Sequence, residues 1–261
     1  MMKALYTSAT GMKAQQFLLD VISNNLANVN TTGFKRSQIN FQDLLYDKFV
    51  PAGSEAAQGV EAPTGLSIGS GVRVVSTNKV FTQGVAENTN RTLDLAIQGK
   101  GFFTIKHPDG STVYTRDGTF HLNSAGTVVN SEGLALEPSI AITGDVIGIS
   151  IGSDGTVSTQ TSTGTSASVG SITLSTFPNP AGLESMGKNL YRETSASGSA
   201  TTGVAGQTGI GEIMQGFRES SNVEVVTELV NLIVAQRAYE TSSRAIKAAD
   251  DMLQTTNRIT A

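Results

Sequence analysis

The sequence has no cysteine and carries few charges along its 261 residues. Without cysteine the chain cannot form disulfides, use a thiolate nucleophile or bind a metal through sulfur. Charged residues make up 15% of the chain, whereas roughly a quarter is typical of soluble domains. Uncharged polar residues and glycine take their place. We expect such a weakly repulsive surface to tolerate close packing against copies of itself.

The sequence also lacks a basic patch and any long apolar run. Its formal net charge is -4, and no basic run is longer than Lys35-Arg36, which argues against nucleic acid as a partner. No stretch approaches the roughly 18 consecutive apolar residues of a membrane-spanning helix. Residues 1–16 lack the continuous apolar core of a cleaved secretory signal. We therefore expect any export from the cytoplasm to use a route that needs no such signal.

Signals for catalysis or cofactor binding are weak. His107 and His121, the only histidines, lie in or beside predicted turns without a nucleophile at a motif spacing. Asp250-Asp251 lies late in a predicted helix, where a solvated charged face is the simpler interpretation. The glycines within residues 99–101 and 206–211 do not have the spacing of a nucleotide-binding loop. We predict no catalytic residue, no metal and no cofactor.

Both ends of the chain have the apolar spacing of long helices. Apolar residues recur there every three or four positions, which places them on one helix face. The first stripe consists of Leu5, Ala9, Met12, Leu19, Ile22, Leu26 and Val29. The second consists of Val225, Leu229, Leu232, Ala235, Tyr239, Ile246, Ala249 and Leu253. Narrow stripes of this length are typical of coiled-coil seams, so we predict that they pack helices in an assembly. An intramolecular hairpin in a monomer is the alternative.

Turn and capping residues define the ends of these helices. The N-terminal helix is predicted to end at about Val29, because Gly33 in the following Asn-Thr-Thr-Gly stretch can adopt a positive φ. The C-terminal helix is predicted to begin at Ser221, with Glu224 completing a capping box, and to run to about Arg258.

The middle of the chain favours an arm followed by β-structure. Residues 51–71 are rich in Gly, Ala, Ser and Pro, which predicts an extended arm or loop. From residue 72 to 191, turn signals recur at the spacing of antiparallel hairpins. These turns are Pro108-Asp109-Gly110, Asp117-Gly118, Ala125-Gly126 and Asp154-Gly155. The Ser/Thr/Gly-rich residues 158–171 form a long loop or a poor edge strand, and residues 194–211 are predicted to be a return linker.

The predicted fold class is α+β, with long terminal helices in a coiled-coil layer and a central, mostly antiparallel β domain. Four segments follow from this prediction. They are the N-terminal helix with its signature turn (1–36), the extended arm or loop (37–72), the β-rich domain (73–215) and the C-terminal helix (216–261).

Several short motifs follow one another along the chain, namely Ala27 to Arg36, Asp94 to Ile97 with Gly101 to Phe103, Tyr114 to Phe120, Asn189 to Tyr191, Ser221 to Val223, Gln236 to Glu240 and Asp251 to Gln254. Together these motifs resemble those of the bacterial flagellar rod and hook family. The resemblance covers essentially the whole chain. The residues that it marks as family motif are Asn28, Thr31, Gly33, Phe34, Gln236, Arg237 and Tyr239.

Within this family, the chain length and residues 44–72 resemble the distal-rod branch. The resemblance implies a rod-stiffening arm, marked by Pro51, Pro63 and Gly71. It also implies a structural subunit, not an enzyme, that polymerises into a rigid hollow driveshaft transmitting torque and serving as an export channel. Another flagellar rod protein or a short hook protein is the alternative. A hydrolase or carbohydrate-binding module with helical tails is the competing class.

The resemblance further implies partners and a location. The partners would be further copies of the chain, proximal rod proteins, the hook protein, peptidoglycan and outer-membrane ring proteins, and the flagellar type III export apparatus. The location would be the basal body, spanning the periplasm, after export without a cleaved signal.

Overall fold

The computed structural model describes residues 2–51, 53, 55–57, 60–61, 64–142, 146–161 and 166–260. A long helix stands at each end of this part of the chain, α1 (Met2–Ala27) and α2 (Val225–Thr260). Neither helix is long and apolar enough to cross a membrane, and the described residues contain no other helix that is.

Strands occupy about half of the described residues between the helices. The first six are β1 (Ser37–Asp43), β2 (Tyr46–Val50), β3 (Glu55–Ala57), β4 (Val60–Glu61), β5 (Leu66–Gly69) and β6 (Val72–Lys79). The next eight are β7 (Ala86–Asn88), β8 (Leu95–Gln98), β9 (Phe102–Lys106), β10 (Thr112–Thr115), β11 (Phe120–Leu122), β12 (Val128–Asn130), β13 (Val146–Ile151) and β14 (Thr156–Thr161). The last seven are β15 (Ser166–Ser171), β16 (Thr173–Thr176), β17 (Glu184–Gly187), β18 (Leu190–Arg192), β19 (Thr201–Val204), β20 (Glu212–Gln215) and β21 (Phe217–Glu219), with a short 3-10 helix at Pro180–Gly182.

The chain divides into two compact units. The helical unit consists of Met1–Leu26, Ser37–Asn78 and Val225–Ala261, and the β unit of Ala27–Arg36 and Lys79–Glu224. The predicted α+β class with terminal helices and a central antiparallel β domain is therefore confirmed.

The helical unit combines α1 and α2 with three strand pairs, β1 with β6, β2 with β5 and β3 with β4. Its described buried apolar residues are few and mostly small, namely Ala14, Ile22, Ile39, Ala235 and Ala249. The chain leaves α1 through a polar contact, because both side-chain amide atoms of Asn25 bond the backbone of Ser37 at 2.8 and 2.9 Å. The contact satisfies the backbone N–H and C=O of Ser37 at the start of β1 and ties this strand to the end of α1.

The β unit is built on a six-stranded sheet in the order β17-β18-β10-β9-β16-β19. Smaller sheets surround it, namely β13-β14-β15 and the pairs β11-β12, β8-β20 and β7-β21. The main core joins residues of several sheets, and edge-to-face aromatic pairs such as Phe103 with Phe120, 5.2 Å apart, fill it. Such pairs add stabilisation beyond the area that they bury.

Three of the four predicted turns join paired strands: the Asp109 turn (β9-β10), the Ala125 turn (β11-β12) and the Asp154 turn (β13-β14). Asp117-Gly118 instead connects strands of two different sheets. A Cβ at Gly118 would lie 1.6 Å from the carbonyl oxygen of Leu95, so only glycine fits at this crossing.

Three local predictions need correction. Residues 194–211 are not a linker, because β19 forms an edge of the main sheet and its threonines pair with β16. The Ser/Thr-rich residues 158–171 contain parts of two strands, of which β15 is the edge strand and β14 is central. Ser221 does not cap α2, which begins four residues later; its hydroxyl accepts from the backbone N–H of Val223 at 3.3 Å.

Candidate assembly site

The stripe predicted on α2 is shifted relative to the side of the helix that the structure buries. Ala235 and Ala249 are buried and Leu232, Ile246 and Leu253 are half-buried, whereas Val225, Leu229 and Tyr239 are exposed. Sequence reasoning missed two polar residues on the buried side. Glu228 is buried and Ser242 is half-buried, at the three-four spacing that completes the row.

The stripe predicted on α1 is mostly shielded from solvent within the helical unit. Ile22 is buried, and its neighbours in the stripe are half-buried, namely Leu5, Met12, Leu19 and Leu26. Ala9 is exposed, and Val29 lies beyond the end of the helix. The two helices approach each other where Gly11 faces Ser242, because a methyl group at Gly11 would lie 3.6 Å from the Ser242 hydroxyl. The assembly role of both stripes remains a prediction.

The first two turns of α2 and the turn beyond them expose a broad apolar surface. It consists of Val225, Val226, Leu229, Val230, Ile233 and Val234, each at least 40% exposed. Exposed apolar side chains that form a contiguous patch usually mark an interaction site. We name these six residues the α2 patch.

The family-motif residues near the N-terminus form a compact turn after α1. Thr31 donates both its backbone N–H and its hydroxyl to Asn28, at 3.2 Å each, and the N–H of Phe34 bonds the Thr31 carbonyl. Gly33 has φ +68°, and its N–H donates to the Glu219 carbonyl at 2.8 Å. A Cβ at Gly33 would lie 2.6 Å from the backbone nitrogen of Asp117, so this position requires glycine on both counts.

Behind this turn lies a buried ionic cluster that the sequence analysis did not identify. The Lys35 ammonium contacts Glu219 Oε1 at 2.5 Å and donates to the Thr82 carbonyl at 2.7 Å. Arg116 Nε lies 3.5 Å from Glu219 Oε2. All three charged side chains are at most 4% exposed. Removing one member of such a cluster leaves an uncompensated buried charge, so the cluster holds the turn in place.

Burial is the main cause of the pKa shifts of the two basic residues in this cluster. Desolvation lowers the pKa of Lys35, with Glu219 opposing the shift and Arg116 adding to it. Desolvation also lowers the pKa of Arg116, against the attraction of Glu219. The neighbouring Tyr191 phenol has its pKa raised to about 12, again chiefly by desolvation. These groups therefore fix structure in an environment from which water is excluded.

Motifs that are far apart in the sequence meet at this cluster. Asn189 donates its side-chain N–H to the Thr32 carbonyl at 2.9 Å. Asn222 accepts from the Arg36 N–H at 2.8 Å and donates to the Val80 carbonyl at 2.8 Å. All of these residues except Val80 come from three of the motifs quoted above. Much of the motif pattern therefore marks a junction within the β unit.

The remaining motif residues lie on the C-terminal helix and are open to solvent. Gln236, Arg237 and Tyr239 are all exposed on α2. They have no role in the described core, and an intersubunit role for them stays a prediction.

The predicted arm is largely paired rather than a loop. Within its described part β2 pairs with β5 in antiparallel register, and β3 pairs with β4. Pro51 is exposed, Gly71 lies against α1 with its Cβ position 2.3 Å from the Thr10 hydroxyl, and Pro63 lies outside the described residues. We name the β2-β5 pair the outer hairpin. It exposes several large apolar side chains, namely Tyr46, Phe49, Val50, Leu66 and Ile68. Its role in stiffening remains a prediction.

The residues considered for catalysis are not brought together by the fold. His107 pairs with Asp109 at 2.9 Å, and His121 lies 3.1 Å from an Arg91 nitrogen. Asp250 and Asp251 are exposed on α2. Within the described residues there is no cluster of three His, Asp or Glu side chains that could hold a metal ion.

Comparisons with known families match the chain in three pieces, which together cover about half of it. Residues 5–35 match the family "Flagella basal body rod protein". Residues 96–159 match "Flagellar hook protein FlgE/F/G D1 domain", and residues 214–259 match "Flagellar basal body rod FlgEFG protein C-terminal". The three pieces lie in the order of the motifs described above.

Several relatives that match over nearly their full length share one name. The chain is 46% identical to "Flagellar basal-body rod protein FlgG" of Buchnera aphidicola subsp. Schizaphis graminum over 97% of this chain and 98% of that protein. It is 43% identical to the protein of the same name from Borreliella burgdorferi over 99% of both. By contrast, "Flagellar hook protein FlgE" of Helicobacter mustelae is 44% identical over 52% of this chain but only 30% of its own length. The chain therefore belongs to the flagellar basal-body rod protein family.

Proposed function

We propose that the chain is the subunit of the distal rod and polymerises into a rigid hollow tube that transmits torque from motor to hook. Full-length similarity to rod proteins, against partial similarity to a hook protein, favours the rod over the hook. The tube would span the periplasm in the basal body and serve as an export channel. In this proposal the subunit is exported without a cleaved signal, and it has no catalytic role.

The observation that carries this proposal is the exposed apolar surface of the helical unit. Of the 24 exposed large apolar side chains among the described residues, 18 belong to this unit. A monomer rarely leaves so many uncovered, and covering them removes apolar surface from water at roughly 25 cal/mol per Å². In the tube, neighbouring copies would cover the α2 patch and the arm.

The same proposal assigns the partners. Copies of the chain contact each other through the helical unit, proximal rod proteins lie below the first copies, and the hook protein lies above the last ones. Peptidoglycan and outer-membrane ring proteins surround the tube, and the flagellar type III export apparatus delivers the subunits. In this arrangement the arm braces neighbouring copies and opposes bending.

The test compares two adjacent positions on α2. Val230 belongs to the α2 patch, and Asn231 is exposed beside it. Val230→Asp places a charge where a neighbour should bury an apolar side chain, and every subunit of the tube carries it. We expect cells with this variant to export a folded subunit that builds no rod, as seen by electron microscopy of basal bodies.

Asn231→Asp is the matched control, because it adds the same carboxylate at an exposed polar position. We expect this variant to build normal rods. Circular dichroism of the purified subunits should show equal helix content in both variants. Normal rods from Val230→Asp would refute the proposed role of the α2 patch.

A further inference from the structure

The β unit contains a cavity of about 390 Å³ that the proposed helix contacts leave unused. Its walls are mainly aromatic and proline side chains, namely Phe81, Phe102, Phe177, Pro178 and Pro180. The aromatic wall is rigid, because Phe102 packs edge-to-face on Phe81 at 5.4 Å and on Phe177 at 5.7 Å. An open cavity with such walls suits an apolar side chain.

One wall of the cavity carries a guanidinium with an unused donor. Arg116 is 4% exposed, and its Nη2 donates to the Gly99 carbonyl at 2.8 Å. Its Nη1 is buried and has no hydrogen-bond partner among the residues that the structure describes. Buried donors are almost always satisfied, so an orphaned one beside a cavity indicates a missing acceptor.

The charge around this donor also favours an anionic acceptor. Lys35 and Arg116 share a single carboxylate, Glu219, so the buried cluster carries one excess positive charge. Lys100 adds an exposed ammonium to the cavity wall. A guanidinium and an ammonium together recognise a carboxylate. The cavity therefore fits an apolar side chain with a carboxylate close to it in the sequence.

The chain itself presents such a pair at the corner between β1 and β2. Leu45 is 87% exposed, more than any other large apolar side chain in the described residues. Asp43, two residues earlier, is exposed and forms no ion pair among them. Leu45 directly precedes the exposed apolar side chains of β2, which begin with Tyr46. Exposed apolar side chains that lie together usually mark an interaction site.

We propose that the cavity beside Arg116 receives Leu45 of a second copy of this chain, with Asp43 of that copy bound by Arg116 and Lys100. The inference rests on the proposed self-assembly and adds to it a specific contact between the helical unit of one copy and the β unit of another. Such a contact would link copies at a site separate from the α2 patch.

The first test uses the natural absence of cysteine. Two variants, Leu45→Cys and Lys100→Cys, are expressed together so that each tube contains both, and isolated basal bodies are mildly oxidised. A disulfide requires Cα atoms within about 7 Å, so it reports direct contact. We expect a disulfide-linked dimer when both variants are present, and far less dimer from either variant alone.

Ser139→Cys serves as the control partner for Leu45→Cys. Ser139 is exposed in the β unit and does not line the cavity. The contact would be refuted if normal tubes formed but the Leu45 and Lys100 pair gave no dimer. It would also be refuted if the Leu45 and Ser139 pair gave as much dimer. Either result would leave the assembly proposal standing. Absence of tubes from the unmodified chain would instead overturn the assembly proposal itself.

A charge exchange tests the carboxylate separately. Asp43→Lys and Lys100→Glu each place like charges together in this contact, so each should raise the subunit concentration needed for polymerisation by roughly tenfold or more. The double variant restores an opposite pair between positions 43 and 100 but leaves the new lysine facing Arg116, so it should recover part of that loss. Equal defects in the single and double variants would show that these two side chains do not meet.

Discussion

The two units of this chain use apolar side chains in opposite ways. Among the described residues, 26 of the 31 buried apolar side chains lie in the β unit, whereas 18 of the 24 exposed large ones lie in the helical unit. The β unit thus completes its core within one chain. Among its described residues, the helical unit buries only two large apolar side chains, Ile22 and Ile39, and leaves the others half-buried or exposed.

This difference separates folding from assembly. A subunit must fold far enough to present a defined surface, and the closed β unit provides that stability. In the proposed assembly, the interface stays uncovered until a neighbouring copy arrives. The α2 patch and the outer hairpin are exposed in the single chain, as such an interface requires. Mutations in the two units should therefore fail in different experiments.

The largest expected effect is in the buried ionic cluster of the β unit. Glu219→Gln would leave Lys35 and Arg116 buried without a countercharge, which should lower the free energy of unfolding by about 3–5 kcal/mol. The measurement is urea unfolding of the purified subunit, followed by NMR signals of the β-unit core. The matched control is Glu87→Gln, which breaks a half-exposed pair with Arg218.

That surface pair should contribute at most about 1 kcal/mol. If Glu219→Gln were as mild as Glu87→Gln, the cluster would not be what holds the signature turn, and the contrast between the two units would weaken. A large loss of stability in Glu219→Gln but not in Glu87→Gln would support the structural role of the buried cluster.

The cluster also shows where sequence reasoning stopped. The turn signals predicted most hairpins, because Asp-Gly and similar pairs act locally on the backbone. Lys35 and Glu219 are 184 residues apart, and no local pattern joins them. The family motifs of the sequence analysis included Lys35 and Arg116 without indicating a cluster. Only the fold shows that two of these motifs meet at one carboxylate, that of Glu219.

The helix stripes were predicted in the right elements but partly on the wrong side. Counting only apolar residues selected Leu229 and Tyr239, which are exposed, and passed over Glu228 and Ser242. Small and polar residues can occupy a helix contact when the partner is close, as Gly11 and Ser242 are. Periodicity reports the spacing of a face, but it does not show which neighbour the face meets.

A smaller effect should appear at alkaline pH. Tyr191 is 3% exposed, and its pKa in the folded chain is raised from 10.0 to about 12. Between these values the unfolded chain loses the phenol proton first, so stability falls as the pH rises above 10. Tyr191→Phe removes this loss, so the variant should gain about 1 kcal/mol relative to the parent between pH 8 and pH 11.

The measurement is the unfolding free energy of both chains at the two pH values. Lys35, Arg116 and Glu219 are present in both the parent and the variant. Their contributions to the pH dependence of the unfolding free energy therefore largely cancel in the comparison. Tyr6→Phe, at a position 59% exposed on α1, should follow the parent at both pH values. Parallel pH curves for Tyr191→Phe and the parent would show that the phenol is not held in a dry site.

The smallest effect on stability should come from the α2 patch. The same substitution, valine to threonine, can be made there and in the core of the β unit for comparison. Val226 is 69% exposed on α2, and Val113 is fully buried in β10. Valine to threonine keeps the shape and replaces a methyl group with a hydroxyl. We expect Val226→Thr to change the free energy of unfolding by less than about 0.5 kcal/mol, because its side chain already contacts water.

Val113→Thr should lower the free energy of unfolding by about 1–3 kcal/mol, because the new hydroxyl lies in an apolar core. In polymerisation of the purified subunit, Val226→Thr should instead have the larger effect of the two variants. Val226→Thr should need a higher subunit concentration to polymerise, since a neighbour must now cover a hydroxyl, while folded Val113→Thr should polymerise like the parent. If Val226→Thr altered stability and not polymerisation, the exposed face would serve folding, and the division between a unit that folds and a unit that assembles would fail.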